Sequence, residues 1–127
     1  LFRVGGDDME NRFLYQSESN DGGHTWTPAQ VTPMLGFPPR LTLLHDGRLL
    51  VVYGRRLHPF GERACLSRDG GHTWDPETER VLQAAPNDDL GYPASVQLAD
   101  GSVLTIYYQV DPAHKGQTCL MATRWRL

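Results

Sequence analysis

Two aspartates, Asp21 and Asp69, are the first candidates for chemistry, because they occupy the same place in two copies of one octapeptide. The copies are residues 19–26 (SNDGGHTW) and 67–74 (SRDGGHTW), identical at seven of eight positions and starting 48 residues apart (67 − 19). A carboxylate here can serve a reaction, or it can accept backbone N–H bonds and hold a tight turn. The paired glycines, which permit positive φ, and the Thr-Trp that starts the next strand favour the structural role.

The histidines and cysteines offer no metal-ligand spacing. Five histidines are scattered; His24 and His72 stand in the variable position of the octapeptide, and His45 precedes an Asp-Gly turn. We interpret them as exposed turn residues and predict no metal and no cofactor. The only cysteines, Cys65 and Cys119, fall in predicted third strands of successive units, so a disulfide is possible but not favoured.

The composition of the chain limits the classes of function that it can have. The chain has 127 residues, 39% of them hydrophobic, which is enough for one domain core. A net charge of −3 gives no general attraction to nucleic acid or to an acidic membrane surface, and no run of about 18 apolar residues predicts a membrane span. The start at Leu1, with neither Met nor a leader pattern, suggests a piece of a longer protein, which we expect to be secreted or periplasmic.

A second repeat indicates where the strands lie. Residues 39–53 align with residues 93–107, and each copy predicts a strand, a two-residue Asp-Gly turn and another strand. The second arms, residues 49–53 and 103–108, are almost continuously apolar. That pattern is typical of strands covered on both faces.

The octapeptide, S-x-D-x-G-x-T-W, resembles the Asp box of sialidase-type β-propellers. The resemblance implies an all-β propeller fragment of four-stranded antiparallel blades, about two and a half to three of them, without helices. The predicted blades are residues 1–36 (partial), 37–86 (complete) and 87–127 (lacking the outer strand). A six-bladed propeller needs roughly 250 residues, so the chain resembles the C-terminal half of one. About ten strands are predicted, at residues 1–4, 12–19, 29–32, 39–46, 48–55, 62–68, 79–84, 93–99, 102–110 and 117–126.

The resemblance also implies site residues. Sialidases of this type bind the substrate carboxylate with three arginines, because a guanidinium is always charged and binds carboxylates bidentately. Arg3, at the end of a second strand, matches the second arginine, and Arg63, in HPFGERACLS, matches the third. Tyr92, in DDLGYPAS, matches the tyrosine nucleophile, although Pro93 follows it where the family usually has small hydroxyl residues. A phenol of pKa about 10 needs a base, which the family supplies as a glutamate.

Other charged residues receive weaker assignments. Arg40, Arg55 and Arg56 stand near strand ends and can line the same face. Glu62 and Asp89 are predicted to be solvated loop carboxylates. The first arginine, the acid/base aspartate and the activating glutamate of the family all precede the segment that matches Arg3. We therefore expect the chain alone to be inactive.

Two classes of function remain open. The first is the C-terminal portion of a sialidase-like exo-glycoside hydrolase, whose partners are a glycan such as a sialoside and either the missing N-terminal half or further copies of the chain. The second is a non-catalytic Asp-box module that binds glycan or protein, since the motif alone does not imply an enzyme. A propeller enzyme acting on another sugar is a third possibility. Convergence of Arg63 and Tyr92 on one cleft would favour the first.

Overall fold

The computed structural model describes residues 12–127 and, as a strand, Phe2–Val4. Ten strands form three antiparallel sheets, each with its strands in chain order, β1–β3, β4–β7 and β8–β10. The prediction of an all-β fold with antiparallel sheets is confirmed. The strands are β1 (Phe2–Val4), β2 (Phe13–Gln16), β3 (Gln30–Leu35), β4 (Pro39–Leu43), β5 (Leu49–Arg55), β6 (Gly61–Ser67), β7 (Arg80–Ala84), β8 (Leu90–Gln97), β9 (Val103–Asp111) and β10 (Gln117–Trp125).

Helical structure in the described residues is limited to two 3₁₀ turns, Pro76–Thr78 and Pro112–His114. Each follows an aspartate whose side chain accepts a backbone N–H from inside the turn. Such capping suits short turns that begin with proline. No helix in this described part of the chain is long and apolar enough to cross a bilayer.

Both Asp boxes are hydrogen-bonded turns, as predicted. The Asp21 carboxylate accepts the N–H of Thr25 at 2.9 Å and its hydroxyl at 2.6 Å, and also the Ser19 hydroxyl at 2.8 Å. These bonds, led by that of the Thr25 hydroxyl, lower the pKa of Asp21 to about 2. Asp69 accepts the same three bonds, from the serine hydroxyl at 2.7 Å, the threonine N–H at 2.9 Å and the threonine hydroxyl at 2.6 Å. Both aspartates therefore serve the fold.

The Asp-Gly hairpins are one residue longer than predicted. The N–H of Leu44 donates to the Arg48 carbonyl at 2.9 Å, and the N–H of Gly47 donates to the Leu44 carbonyl at 3.0 Å, leaving a three-residue loop. Gly47 has φ 85°. A two-residue type I′ turn needs positive φ at both central residues, whereas this loop needs it only at the glycine. The hairpin around Gly101 has the same two bonds.

The second sheet lies between the other two. One apolar cluster joins its Val51 and Tyr53 to Leu14 of the first sheet, and another joins its Val52 to Val103 of the third. Strand β5 is accordingly buried from Leu50 to Gly54, as the continuous apolar pattern predicted. Packing the two faces of one strand against two sheets is what removes its apolar side chains from water.

The same prediction is wrong for β9, where only one face is covered. Val103, Thr105 and Tyr107 are buried against the second sheet, but Ile106 is 44% exposed. The described residues supply no sheet beyond the third. Its open face therefore presents a set of apolar side chains to solvent: Ala94, Val96, Leu104, Ile106 and Leu120.

The two Asp-box tryptophans show the same asymmetry. Trp74 is 7% exposed and donates its indole N–H to the Gln16 side chain of the first sheet at 2.7 Å. Trp26 is 48% exposed and donates only within its own turn, to the Gly23 carbonyl at 3.0 Å. The predicted buried anchor therefore exists at Trp74 alone. An Asp-box tryptophan packs on the preceding sheet, and the described residues provide none before the first.

Trp74→Ala should lower the free energy of unfolding by about 3–5 kcal/mol, because it opens a cavity between two sheets. Trp26→Ala is the matched control in the equivalent turn and should cost no more than about 1 kcal/mol. Urea denaturation of both variants measures the difference. Equal losses would show that the tryptophans do not differ in packing.

We expect the chain to associate at micromolar concentration, since its open apolar face needs cover. The first sheet of a second copy can cover this face, because the apolar side chains of Trp26 and Val31 are exposed on that sheet. Ile106→Lys should weaken association, while Val81→Lys, at an exposed apolar position of the second sheet, should not. Light scattering measures the association. A monodisperse wild-type monomer would contradict the prediction. If the chain associates only with a longer partner, the open face is a binding surface for that partner and not for a second copy.

Candidate functional site

Arg56 is the centre of a cluster at one end of the sheets, where β5 ends and β6 and β8 begin. Its guanidinium carbon lies 5.2 Å from the ring centre of Phe37, 5.7 Å from that of Tyr92 and 6.0 Å from that of Tyr108. Cation–π attraction favours such a position. The Asp boxes lie at the opposite end, where β2 and β6 finish.

Hydrogen bonds fix Arg56 in this position. Its Nε donates to the Leu90 carbonyl at 2.7 Å and its Nη2 to the Tyr108 hydroxyl at 2.8 Å. Arg12, whose guanidinium lies 5.5 Å from the Phe37 ring, donates to the Arg56 carbonyl at 3.4 Å. Two cations thus share one aromatic ring, and that arrangement suits a site for anions.

Tyr92 is the exposed member of the cluster. Its side chain is 69% exposed, and its ring stacks on Tyr108 with centres 5.9 Å apart. It occupies the left-handed region with φ 51°, in the β-bulge between Gly91 and Ala94. A non-glycine residue in this conformation costs on the order of 1 kcal/mol or more and is often found at functional sites. Within residues 12–127, no carboxylate is hydrogen-bonded to its hydroxyl.

Tyr108 contacts Arg56 as Tyr92 does, and it also lies near the Asp89 carboxylate. Burial raises the pKa of its hydroxyl, Arg56 lowers it, and the Asp89 carboxylate raises it again. Asp89 also accepts the Thr118 hydroxyl at 2.7 Å. Asp89 itself is exposed on the loop before β8, as the sequence predicted.

Arg63 lies on β6 and is buried inside the sheet packing. It is 4% exposed, donates from Nη2 to the Pro59 carbonyl at 2.9 Å, and has Nε 3.7 Å from a Glu79 oxygen. The other Glu79 oxygen is hydrogen-bonded to the Tyr53 hydroxyl. The structure therefore joins Arg63 to Glu79, and it is Arg56 that contacts Tyr92.

Arg3 can be placed only by its backbone. It lies on β1 opposite Tyr15 of β2, and its side chain lies outside the described residues. Its predicted contact with a substrate carboxylate stays a prediction.

The prediction that Glu62 is a solvated loop residue is wrong. Strand β6 begins at Gly61, so Glu62 lies within it and is fully buried. Burial raises the pKa of its carboxyl to about 8, against the opposing effects of Arg56 and Arg63. Neither carboxyl oxygen has a hydrogen-bond partner in the described residues.

Buried polar side-chain atoms that lack a hydrogen-bond partner are concentrated at this end of the sheets. Buried polar atoms nearly always have partners, and the exceptions mark functional groups or places for a bound molecule. In the described part of the chain, these atoms all lie at the end of β5, the start of β6 or near the end of β9. They are Arg55 Nε, Glu62 Oε1 and Oε2, Arg63 Nη1 and Gln109 Oε1.

Metal-ligand residue types come together at one place in the described residues, formed by Asp111, His114 and Cys119. Sequence reasoning missed this group because it considered pairs of histidines. It also missed Phe37, which lies between β3 and β4, and Tyr108, which lies within β9, because the sequence marks neither by more than its aromatic type. The five histidines are exposed, as predicted, and both cysteines are free.

Comparison with known proteins agrees with this architecture. Residues 1–105 match the family described as BNR repeat-like domain, and the chain belongs to that family. It is also similar to a crystal structure of a protein of unknown function from Dyadobacter fermentans DSM 18053, with 30% identity and a TM-score of 0.78. That match covers 91% of this chain and 32% of the other, so the chain spans about a third of its length. No curated protein gives a significant match.

Glu62→Gln should stabilise the protein at high pH. A carboxyl whose pKa rises on folding, here from 4.5 to about 8, favours folding while it is protonated, and this contribution is lost as pH rises through that window. The variant and the wild type should therefore have similar stability near pH 4.5, and the variant should gain up to about 5 kcal/mol by pH ~9, because one pKa unit is worth about 1.4 kcal/mol.

Urea midpoints at both pH values measure this difference. The exposed Glu77→Gln serves as control and should shift stability equally at both. A Glu62→Gln difference that does not grow with pH would mean that Glu62 is ionised in the folded protein.

Proposed function

We propose that the chain is the C-terminal portion of a sialidase-like exo-glycoside hydrolase and that the cluster around Arg56 is its share of the sugar site. The observation that carries the proposal is the pairing of an exposed, backbone-strained tyrosine, Tyr92, with a guanidinium fixed beside its ring. Membership of the BNR repeat-like family supports it. The same end of the sheets carries the unpartnered buried polar atoms.

The proposed chemistry uses Tyr92 as the nucleophile. Its phenolic oxygen gives its proton to a base and bonds to the anomeric carbon, while the bond from that carbon to the leaving group breaks and a general acid protonates the leaving group. Water then hydrolyses the glycosyl-enzyme, and the phenol takes back a proton. A neutral nucleophile suits a sugar that carries its own carboxylate, since an anionic one would be repelled. Arg56 stabilises the negative charge that develops on the phenolic oxygen. The base is a residue outside the cluster, as the family resemblance implies.

Four arginines are candidates for contact with the substrate carboxylate. Arg3 and Arg63 are the residues that match the family pattern, and Arg56 and Arg12 are the cations that the structure brings to the aromatic cluster. Because Arg63 is buried against Glu79, we assign it to holding the strand ends in place. Arg56 becomes the main candidate for carboxylate contact within the described residues.

A non-catalytic glycan-binding module is the second candidate, and one observation favours it. The Tyr92 ring is exposed and stacked on Tyr108, which gives a sugar an aromatic surface, and no carboxylate is hydrogen-bonded to the Tyr92 hydroxyl within residues 12–127. A propeller enzyme for a different acidic or neutral sugar would use the same surface.

Calorimetric titration tests carboxylate recognition. N-acetylneuraminic acid should bind the chain, and its methyl ester should bind at least about tenfold more weakly, because a charge-assisted bond is worth about 1.5–3 kcal/mol. Arg56→Met should abolish the difference between the two sugars, whereas the exposed Arg40→Met should keep it. Equal binding of acid and ester by the wild type would exclude an acidic sugar, and would favour a module for neutral glycans.

Hydrolysis of an aryl sialoside tests catalysis. The 127-residue chain should show no useful turnover, since general acid–base help alone is worth about 10²–10⁴-fold. Joined to the N-terminal half of its domain it should turn over, and Tyr92→Phe should abolish that activity while leaving sugar binding intact. Full activity of Tyr92→Phe in the joined protein would contradict the nucleophile assignment.

A further inference from the structure

The hairpin between β9 and β10 gathers three different metal-ligand side chains. Asp111 ends β9, His114 ends the 3₁₀ turn that follows, and Cys119 is the third residue of β10. Asp111 pairs with Gln117, so Cys119, two residues along the strand, projects from the same face. The turn closes through a bond of 3.1 Å from the Gly116 N–H to the Asp111 carbonyl, which brings His114 back over the strand.

The ligand atoms lie at distances that one metal ion can bridge. Asp111 Oδ2 is 2.5 Å from His114 Nδ1, and the three ligand atoms all lie within 4.8 Å of one another. Ligands bound to a tetrahedral Zn²⁺ at about 2.0–2.3 Å lie roughly 3.3–3.8 Å apart, so the site is completed when the Asp111–His114 contact opens and the most distant ligand atom moves in, each by about 1 Å. The Cys119 thiol can make such a move, because its one hydrogen bond within the described residues is a weak one of 3.6 Å to the Gln117 carbonyl.

The turn itself does not require this combination. Asp111 Oδ1 accepts the Ala113 N–H at 2.9 Å and so caps the 3₁₀ turn, and that bond leaves Oδ2 available. The thiol comes from a separate strand, is half-buried and plays no part in the cap. Capping of the turn therefore explains why an aspartate stands at position 111. It does not explain why an imidazole and a thiol lie close to the second oxygen of that aspartate.

We propose that Asp111, His114 and Cys119 form a Zn²⁺ site with three protein ligands and one water. A thiolate and an imidazole select zinc over Mg²⁺ or Ca²⁺, which prefer oxygen alone. The His114 side chain is 70% exposed, so the fourth position is open to water or to a small ligand. Binding replaces the contact between carboxylate and imidazole and releases the thiol proton. The site lies at the same end of the third sheet as Tyr92, because β8 begins there.

Titration of the full chain with ZnCl₂, under a non-thiol reductant, tests the proposal by calorimetry. One equivalent should bind with a Kd of about 1 µM or tighter. Co²⁺ should bind at the same place and give the near-ultraviolet charge-transfer band of a cobalt thiolate. This readout does not depend on any glycan chemistry of the protein. No stoichiometric uptake at about 100 µM metal would overturn the proposal.

Cys119→Ser should remove the cobalt band and weaken Zn²⁺ binding by more than the ~10–100-fold that loss of an outer-shell partner costs. His114→Gln should also weaken binding, and both variants should keep the wild-type circular dichroism, since neither residue caps the turn. His58→Gln, at another exposed histidine, should bind like wild type. A cobalt band that survives Cys119→Ser would come from Cys65 and would overturn the assignment, as would unchanged affinity.

Discussion

The rest of the structure depends on the burial of β5 between two sheets. An antiparallel sheet can leave one face in water, but the second sheet covers apolar side chains on both of its faces, with Leu14 on one side and Val103 on the other. That packing fixes how the three sheets follow one another. It also brings the loop residues Arg12 and Phe37 and the third-sheet residues Tyr92 and Tyr108 together around Arg56, just beyond the end of β5.

Fully hydrogen-bonded groups and incompletely bonded groups lie at opposite ends of the same strands. The Asp boxes close one end with short, local hydrogen bonds, and their carboxylates are fully used by neighbouring hydroxyl and N–H groups. The other end is less completely satisfied. It holds a strained tyrosine, Tyr92, a buried unpartnered carboxyl at Glu62 and a guanidinium shared by aromatic rings. Proteins tolerate such features where function needs them, and the well-bonded end supplies the rigidity.

The sequence predicted the fold well because its signals are local. Two repeats, with glycines where positive φ is needed, locate the hairpins and turns to within a few residues. The wrong predictions concern burial, at Trp26, Ile106 and Glu62. Burial depends on which sheet packs against a side chain, and a local sequence pattern does not contain that information. Tyr92 lies in the candidate site, but the arginine beside its ring is Arg56, which follows the end of β5, whereas Arg63 is buried within β6. A motif match gives the position of an arginine in the chain but not what its side chain packs against.

The central claim is that the cluster around Arg56 recognises a carboxylated sugar. A crystal structure of the chain with 2-deoxy-2,3-dehydro-N-acetylneuraminic acid, whose flattened ring resembles an oxocarbenium-like transition state, tests it most directly. The account predicts the carboxylate within hydrogen-bonding distance of the Arg56 guanidinium and the sugar ring next to Tyr92. A ligand bound at the Asp-box end, or one bound near Tyr92 with its carboxylate facing solvent, would contradict it.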